Sequence, residues 1–456
     1  MRRLMAVLLA AALLIGAAST LQAEVQNVRL GGDIRTRAYY TKNLYSVDST
    51  EKADDFYFRQ RTRVSSEADL TDNIWAVATV EADGVWGQQV VVRRTEEVEV
   101  TQPDGTTETV EVTTYSKEKN DWDVNVAEAY FQLSEMFYSP WTAKLGRQYL
   151  NYGRGFLISS REWEYKFDCW RNIFDFYPWT IDLFYSRLVE SDSVNGGDLY
   201  KGGDDEDLFG LNMNYQADLW AMEGYVFGVR DQFGEEYGDL KQAPIAVGFR
   251  FDASPVEAFD IWGEFAYEFG KYQATGMADQ ETIRALGFDL GMVYVFDVTW
   301  EPAIAVSYTY GSGDKGDEAN NPDKNTFDPL FNYNYYGYAY SPKLSNIGIF
   351  NAQASILPAE SFTMVLDFYW YNQSKDRAMV MGNPDMDNGG VSAVTSGADK
   401  DLGMELDLIL EYDYTEDVSM QAVGAWFKPG SAYDLPANDE SPDDVLEIRG
   451  EVLISF

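Results

Sequence analysis

The chain has 456 residues, a formal net charge of −40 and 15% aromatic residues, yet it contains one cysteine and no histidine. The single cysteine, Cys169, excludes a disulfide framework and a cysteine-rich metal site. The absence of histidine excludes Ser-His-Asp and Cys-His nucleophilic mechanisms and histidine-ligated zinc or haem, which argues against an enzyme.

The N-terminus predicts a secretory signal peptide over residues 1–23. Met1, Arg2 and Arg3 form a basic start, residues 4–18 form a short apolar run, and Ala23 is the small residue before cleavage. A retained anchor helix is the alternative. After this segment the sequence shows no further run of about 18 apolar residues, so we expect no membrane-spanning helix in the remainder.

Period-two alternation dominates residues 24–456. Within 56–70 the even positions are mostly apolar or neutral, while the odd positions include several arginines and acids. Residues 402–412 alternate more regularly between apolar residues and Gly, Glu or Asp. The pattern predicts about eighteen strands, near residues 28–41, 55–70, 73–86, 122–134, 141–149, 163–176, 179–189, 206–216, 219–230, 241–253, 257–270, 281–295, 298–310, 345–357, 361–373, 402–414, 418–428 and 444–456.

Strand length and loop order distinguish a membrane barrel from a soluble sandwich. The strands run about ten residues or more, near the length that a tilted strand needs to cross a bilayer. Short links alternate with long polar segments at 42–54, 87–122, 190–206, 231–241, 271–281, 311–344, 374–401 and 429–443. This alternation is typical of short periplasmic turns and long outer loops. The prediction is an all-β, transmembrane antiparallel up-and-down β-barrel in the bacterial outer membrane, formed by one domain over residues 24–456.

The last predicted strand adds support, because its apolar residues share one face and the chain ends on Phe456. Such an ending is similar to the terminal signal of outer-membrane barrels. Pairing of this strand with the first would close the barrel and remove the unpaired edges that a membrane does not tolerate.

Arginines on inward positions of the first two strands form the candidate pore lining: Arg35, Arg37, Arg59, Arg61 and Arg63. Adjacent strands would join them into a basic patch, and guanidinium groups bind carboxylates bidentately. A structural alternative remains open, in which inward acids brace the wall by pairing with the arginines: Asp33, Glu67, Asp69, Glu81 and Glu128.

The segment 311–329 carries oxygen ligands that could bind calcium, among them Asp314, Asp317, Asp323 and Asp328. It lacks the fixed ligand spacing of an EF-hand, and a solvated acidic loop is the alternative. Residues 90–120 predict an exposed β-hairpin with an Asp-Gly turn.

Three ordered motifs resemble the alginate export family of outer-membrane porins. The first comprises Leu145-Gly146-Arg147-Gln148, Tyr152-Gly153 and Phe167-Asp168-Cys169-Trp170-Arg171. The second is the stretch 310–331, with Gly311-Ser312-Gly313-Asp314 and Asn325-Thr326-Phe327-Asp328-Pro329-Leu330-Phe331, and the third is Gly403-Met404-Glu405-Leu406-Asp407-Leu408. The resemblance implies a monomeric eighteen-stranded barrel whose charged lumen is narrowed by loops and passes an anionic polysaccharide. Arg147 and Arg171, within the first motif, join the candidate pore lining.

The leading hypothesis is therefore a porin for passive passage of a hydrophilic, anionic solute such as a uronate-containing polysaccharide, with no required cofactor and no nucleic-acid partner. Alternatives are a general or cation-selective porin, which would pass other solutes or neutral saccharides, and a barrel sheath around a periplasmic electron-transfer partner. A barrel enzyme is disfavoured by the missing histidine. We expect contacts with outer-membrane lipid and lipopolysaccharide.

Overall fold

The structure is a computed structural model of the chain. It describes residues 27–44, 54–101, 107–119, 122–160, 165–190, 205–231, 241–273, 281–314, 323–332, 336–375, 379–380, 393–394, 399–433 and 442–456. The predicted signal peptide and Asp317 lie outside these residues. Across the described part, we find no helix long and apolar enough to cross a membrane.

Eighteen antiparallel strands form one closed sheet. In chain order they are β1 Asn27–Lys42, β2 Asp55–Thr71, β3 Ile74–Val85, β4 Asp123–Leu133, β5 Trp141–Gln148, β6 Phe167–Phe176, β7 Trp179–Val189, β8 Glu206–Gln216, β9 Trp220–Asp231, β10 Lys241–Val256, β11 Phe259–Gln273, β12 Glu281–Val295, β13 Ala303–Gly311, β14 Ile347–Ala359, β15 Phe362–Gln373, β16 Asp401–Thr415, β17 Val418–Pro429 and β18 Val445–Ser455. Each strand pairs with its neighbours in sequence, and β18 pairs with β1 from Asp33↔Ser455 to Lys42↔Leu446. The predicted barrel and its strand number are confirmed.

The alternation along each strand separates a lipid face from a lumen face. In β16 the side chains of Met404, Leu406 and Leu408 are 41%, 40% and 43% exposed, whereas Glu405 and Asp407 are fully buried. Apolar residues outside and polar residues inside are the reverse of a soluble barrel, because the surrounding solvent is hydrocarbon. This explains why the chain exposes so many large apolar side chains.

Short turns join the strands at one end of the barrel, which is the periplasmic end of such proteins. The turn before β13 is longer than predicted, because Trp300 and Glu301 have positive φ angles of 72° and 40°. The N–H of Phe296 donates to the carbonyl of Pro302 across 2.8 Å and closes this turn. Residue 298, where the sequence predicted the start of this strand, therefore lies in the turn.

At the opposite, extracellular end the predicted hairpin is present as a separate two-stranded sheet. Its strands, Gln89–Thr101 and Thr107–Lys119, pair antiparallel along their whole length. The predicted Asp-Gly turn at 104–105 lies outside the described residues.

The buried apolar cluster lies inside the barrel rather than between sheets. Loop residues such as Phe156, Phe327 and Tyr340 pack there with inward strand residues such as Phe227 and Phe427. Segments from two extracellular loops thus fold back into the lumen and narrow it.

Candidate pore constriction

The five arginines of β1 and β2 lie in adjacent rows of the inner wall. Arg35 is opposite Arg61 and Arg37 is opposite Arg59, while Arg63 is opposite Asp33. Directly opposite residues of an antiparallel pair point to the same face, so these side chains form one basic patch, as predicted from the sequence.

Acidic side chains are interleaved with this patch. Asp33 accepts from Arg63 Nε at 2.6 Å and lies 3.5 Å from Arg61 Nη2. Arg59 Nε donates to Asp83 Oδ1 across 2.9 Å, and Arg37 pairs with Glu451. The bracing interpretation thus holds for Asp33, and these contacts join four of the five guanidinium groups to three carboxylates. Arg59 and Arg63 keep 29% and 14% of their side chains exposed.

Arg171 lies on the inner wall of β6 and pairs with Asp182 of β7, at 2.6 Å between Nε and Oδ2. The hydroxyl of Tyr152 donates to the same carboxylate oxygen across 2.8 Å. Burial, with the nearby Asp182, raises the pKa of Tyr152 above its ordinary value, so the phenol remains a proton donor. Tyr152 comes from the β5–β6 loop, so this contact ties the loop to the wall.

Arg147 does not line the lumen, contrary to the sequence prediction. It lies opposite Ala129 and Asp168, whose rows also carry the outward-facing Phe131 and Trp170. Its guanidinium forms a two-point pair with Asp168, with both N–O distances 2.8 Å. The face of a short strand is fixed by its pairing with neighbours, which the local sequence does not reveal.

The segment 149–160, which follows β5, turns into the lumen and is held there by inward glutamates. The N–H of Gly153 donates to Glu223 Oε1 and that of Arg154 to Glu264 Oε2, each across 2.8 Å. The hydroxyl of Tyr225 donates to the other oxygen of Glu264 across 2.7 Å. A buried carboxylate is stable only when hydrogen-bond donors compensate for its lost hydration. The glutamates therefore fix the position of the segment, and the N–H groups of the segment stabilise the glutamates.

The side chain of Arg154 extends from this segment to the wall of β10–β12, opposite the arginines of β1 and β2. Its guanidinium carbon lies 4.3 Å from the centroid of the Trp262 ring. Arg154 Nη1 is 3.6 Å from Asp252 Oδ1, and Arg154 Nε is 3.7 Å from Asp289 Oδ2. The side chain remains 39% exposed. The sequence analysis missed this residue. The sequence did offer a signal, because two glycines on either side of a basic residue are typical of a tight exposed turn. In the structure Gly153 and Gly155 both have positive φ.

A second inward segment, 323–332, precedes β14 and packs on the first. The N–H of Ser159 donates to the carbonyl of Phe331 and the N–H of Phe331 to that of Leu157, each across 2.8 Å. The rings of Phe156 and Phe327 lie 5.5 Å apart. The N–H of Asp328 donates to Glu268 of β11 across 3.1 Å. The two segments therefore form one constriction along the wall of β7–β12.

Farther along the same loop, Glu405 of β16 accepts the N–H groups of Tyr338 at 2.6 Å, Ala339 at 2.8 Å and Tyr340 at 2.8 Å. The hydroxyl of Tyr371 also donates to the carbonyl of Tyr336. This anchor holds residues 336–345 against β15–β17.

The carboxylates predicted to bind calcium do not converge in the described residues. Asp314 accepts from Asn325 and Thr326, Asp323 pairs with Arg284 at 3.1 Å, and Asp328 contacts Lys324 and Lys343. No group of three or more potential metal-binding side chains is found in the part that the structure describes. Because Asp317 lies outside that part, calcium binding by this loop stays a prediction.

A closed eighteen-stranded barrel with a lipid-facing apolar belt, a charged inner wall and inward loops defines an outer-membrane channel protein. A family model for alginate export matches residues 28–445. The chain belongs to the alginate export family, and it is a channel of the bacterial outer membrane rather than an enzyme.

Solved structures with the same fold are outer-membrane channels of low sequence identity. OccK8 (OprE) of Pseudomonas aeruginosa has 8% identity and a TM-score of 0.54, with 95% of this chain and 98% of that chain covered. OccAB3 of Acinetobacter baumannii has 9% identity, a TM-score of 0.53 and coverage of 94% and 99%. OprD of Pseudomonas aeruginosa has 12% identity, a TM-score of 0.51 and coverage of 95% and 97%. These likenesses support the fold alone. No curated protein matches the chain in sequence.

Proposed function

We propose that the channel passes a hydrophilic anionic solute, such as a uronate-containing polysaccharide, by downhill diffusion. One observation carries the proposal. Five guanidinium groups lie in adjacent rows of the β1–β2 wall, and two of them, Arg59 and Arg63, keep 29% and 14% of their side chains exposed. An anion entering here would meet donors already held in place by neighbouring ion pairs.

Arg59 and Arg63 are the members of this patch that solute would contact first, because their side chains are more exposed than those of the three other arginines. A guanidinium group offers two parallel N–H donors to a carboxylate, and passage requires that each such contact be weak enough to exchange with the next. Arg154 would offer a further contact on the opposite wall. Shared carboxylates such as Asp33 lower the affinity of each arginine, which favours transit over retention.

A cation-selective or general pore is the second candidate. Asp407 and Glu447 are both fully buried on the inner wall. Inward carboxylates attract cations into a lumen, which would suit a chain of net charge −40. The alternative of a sheath around a periplasmic electron-transfer partner fits less well, because segments 149–160 and 323–332 take up lumen space that a threaded partner would need.

Single-channel recording in planar bilayers tests the proposal. We expect anion-selective current that oligouronates block, and weaker block with a shift towards cation selectivity in Arg59→Gln/Arg63→Gln. Lys428→Gln removes one positive charge from the outer face of β17 and serves as the control, with selectivity unchanged. Cation selectivity of the wild type that is indifferent to the double substitution would contradict the proposal and favour the second candidate.

A further inference from the structure

The basic side chains that the structure describes on the outward face of the barrel lie near the extracellular ends of its strands. Among strand residues with described side chains they are Lys42, Arg147, Arg187, Arg230, Lys271, Arg284 and Lys428. Their outward direction follows from register, since each lies opposite a residue of the lipid-facing row or alternates with one. These basic side chains lie at one height of a chain whose net charge is −40.

Three of these arginines and two aspartates form a continuous row across β5 to β9. Arg147 of β5 lies opposite Asp168 of β6, Asp168 opposite Arg187 of β7, Arg187 opposite Asp207 of β8, and Asp207 opposite Arg230 of β9. We call this alternating row the outer ladder. It has three arginines and two aspartates, and Lys271 and Arg284 extend the positive charge to β11 and β12.

Ion pairs hold the ladder side chains along the wall. Arg187 Nε lies 2.7 Å from Asp207 Oδ1, and Arg230 pairs with the other oxygen of Asp207. The arginines nevertheless remain accessible, with 38% of Arg147, 31% of Arg187 and 54% of Arg230 side chains exposed. Arg187 also contacts Glu190 and Asp205, whereas Arg147 and Arg230 each pair with one carboxylate within the described residues. One carboxylate does not saturate a guanidinium group, which has five N–H donors.

The ladder lies directly above the lipid-facing belt. One pleat towards the periplasm, the same strands carry Trp170, Tyr185 and Phe209, exposed by 55%, 44% and 43%. The hydroxyl of Tyr185 donates to Asp207 across 2.6 Å, which is the orientation of an interfacial tyrosine with its ring in hydrocarbon and its hydroxyl at the headgroups. The ladder is therefore at the height of the outer-leaflet headgroups.

We propose that the outward surface from Arg147 to Arg284 binds the phosphate groups of lipid A in the outer leaflet. Phosphates are the anions at this height, and arginine donates to them through parallel N–H groups. The ladder aspartates keep the guanidinium groups extended along the wall, so little side-chain freedom is lost on binding. This site does not depend on which solute the pore passes.

Binding of lipid A to the purified, folded barrel in detergent tests the proposal, with biphosphorylated lipid A compared with the same lipid lacking phosphates. Arg230→Gln/Lys271→Gln removes two charges from the site, while Lys42→Gln/Lys428→Gln removes two from the same height outside it. We expect preference for the phosphorylated lipid, a loss of about tenfold or more in the first variant and a change within about twofold in the second. Unchanged channel conductance verifies that both variants fold.

Three results would overturn the proposal. These are equal binding of the lipid without phosphates, equal losses in the two double variants, and complete loss of wild-type binding when EDTA is added. The last result would mean that divalent cations on acids near the ladder, such as Glu190 and Asp205, carry the lipid contact in place of the arginines.

Discussion

Glu405 holds the backbone of Tyr340 inside the barrel. The N–H of Tyr340 donates to Glu405 Oε2 across 2.8 Å. The other oxygen of the same carboxylate accepts the two preceding N–H groups. A carboxylate at one position of β16 therefore determines where a loop distant in sequence lies in the lumen. Glu223, Glu264 and Glu268 likewise accept N–H groups of the inward loop segments. Substitutions that remove such contacts can therefore test the position of these segments.

Replacing Glu405 with Gln removes the charge and one acceptor oxygen, so at least one of the three N–H groups loses its partner. Each hydrogen bond to a charged group contributes about 1.5–3 kcal/mol. We expect residues 336–345 to detach more often, which would raise the mean single-channel conductance and its fluctuations.

The matched control is Glu411→Gln on the same strand, where the carboxylate accepts from the side chain of Gln421 at 3.0 Å and from no other group among the residues that the structure describes. Its conductance should equal that of the wild type. Equal traces from both variants would show that Glu405 does not anchor the loop.

Gly153 permits the first inward segment to approach the wall. Its φ is +61°, and a Cβ atom there would lie 2.1 Å from Glu264 Oε1. We expect Gly153→Ala to displace the segment, to expose it to protease added from the extracellular side, and to increase conductance. Gly224→Ala is the control, because its Cβ would meet nothing within 4 Å. Protease resistance in both variants would argue against this close approach.

Asp182 neutralises Arg171 and receives Tyr152 within the wall. Asp182→Asn leaves a largely buried guanidinium group without its counter-charge, which should lower the free energy of unfolding by about 3–5 kcal/mol. The milder Tyr152→Phe should lower it by about 1 kcal/mol. Equilibrium unfolding of the barrel in urea with detergent or lipid would measure both. A loss in Asp182→Asn no greater than that in exposed Asp175→Asn would contradict the assignment.

The contact of Asp328 with Lys343 and Lys324 should depend on pH. Burial raises the pKa of this carboxyl, but the two ammonium groups outweigh it and bring the pKa below the ordinary value of 3.8. A lowered pKa in the folded state contributes stability above the unfolded-state pKa, and this stability is lost as pH falls through the folded-state value. The second segment should thus stay in place from neutral pH down to the ordinary aspartate range.

Conductance recorded as the pH is lowered would show this as steady current followed by increased fluctuation in strong acid. Lys343→Gln removes one ammonium group, so its transition should begin at higher pH than that of the wild type. Coincident transitions would mean that Lys343 does not stabilise the charged carboxyl.

Much of the barrel could be predicted because its signals are local. The alternation in residues 402–412 assigns Leu406 to lipid and Asp407 to the lumen without reference to another strand, since side chains of a strand point to opposite faces in turn. The same rule placed Arg35 and Arg61 on the inner wall. Strand number followed from counting such segments between short and long links.

The site was harder to predict, because it depends on contacts between distant residues. No local pattern distinguishes Glu264 and Glu405, which hold loop backbone, from Glu411, which does not. Arg154 could be found only by noticing its two flanking glycines. With 75 carboxylates against 35 basic residues, the sequence alone could not show which acid pairs with which arginine or loop N–H group.

The sequence by itself determined that the chain forms a membrane barrel of about eighteen strands with arginines inside its first strands, because period-two patterning and loop length are properties of adjacent residues. The tertiary structure decided that Arg147 faces lipid and that segments 149–160 and 323–332 meet in the lumen. Face and loop position are set by strand register and by donors and acceptors far apart in sequence. These donors and acceptors become neighbours only when the barrel closes through the pairing of β18 with β1.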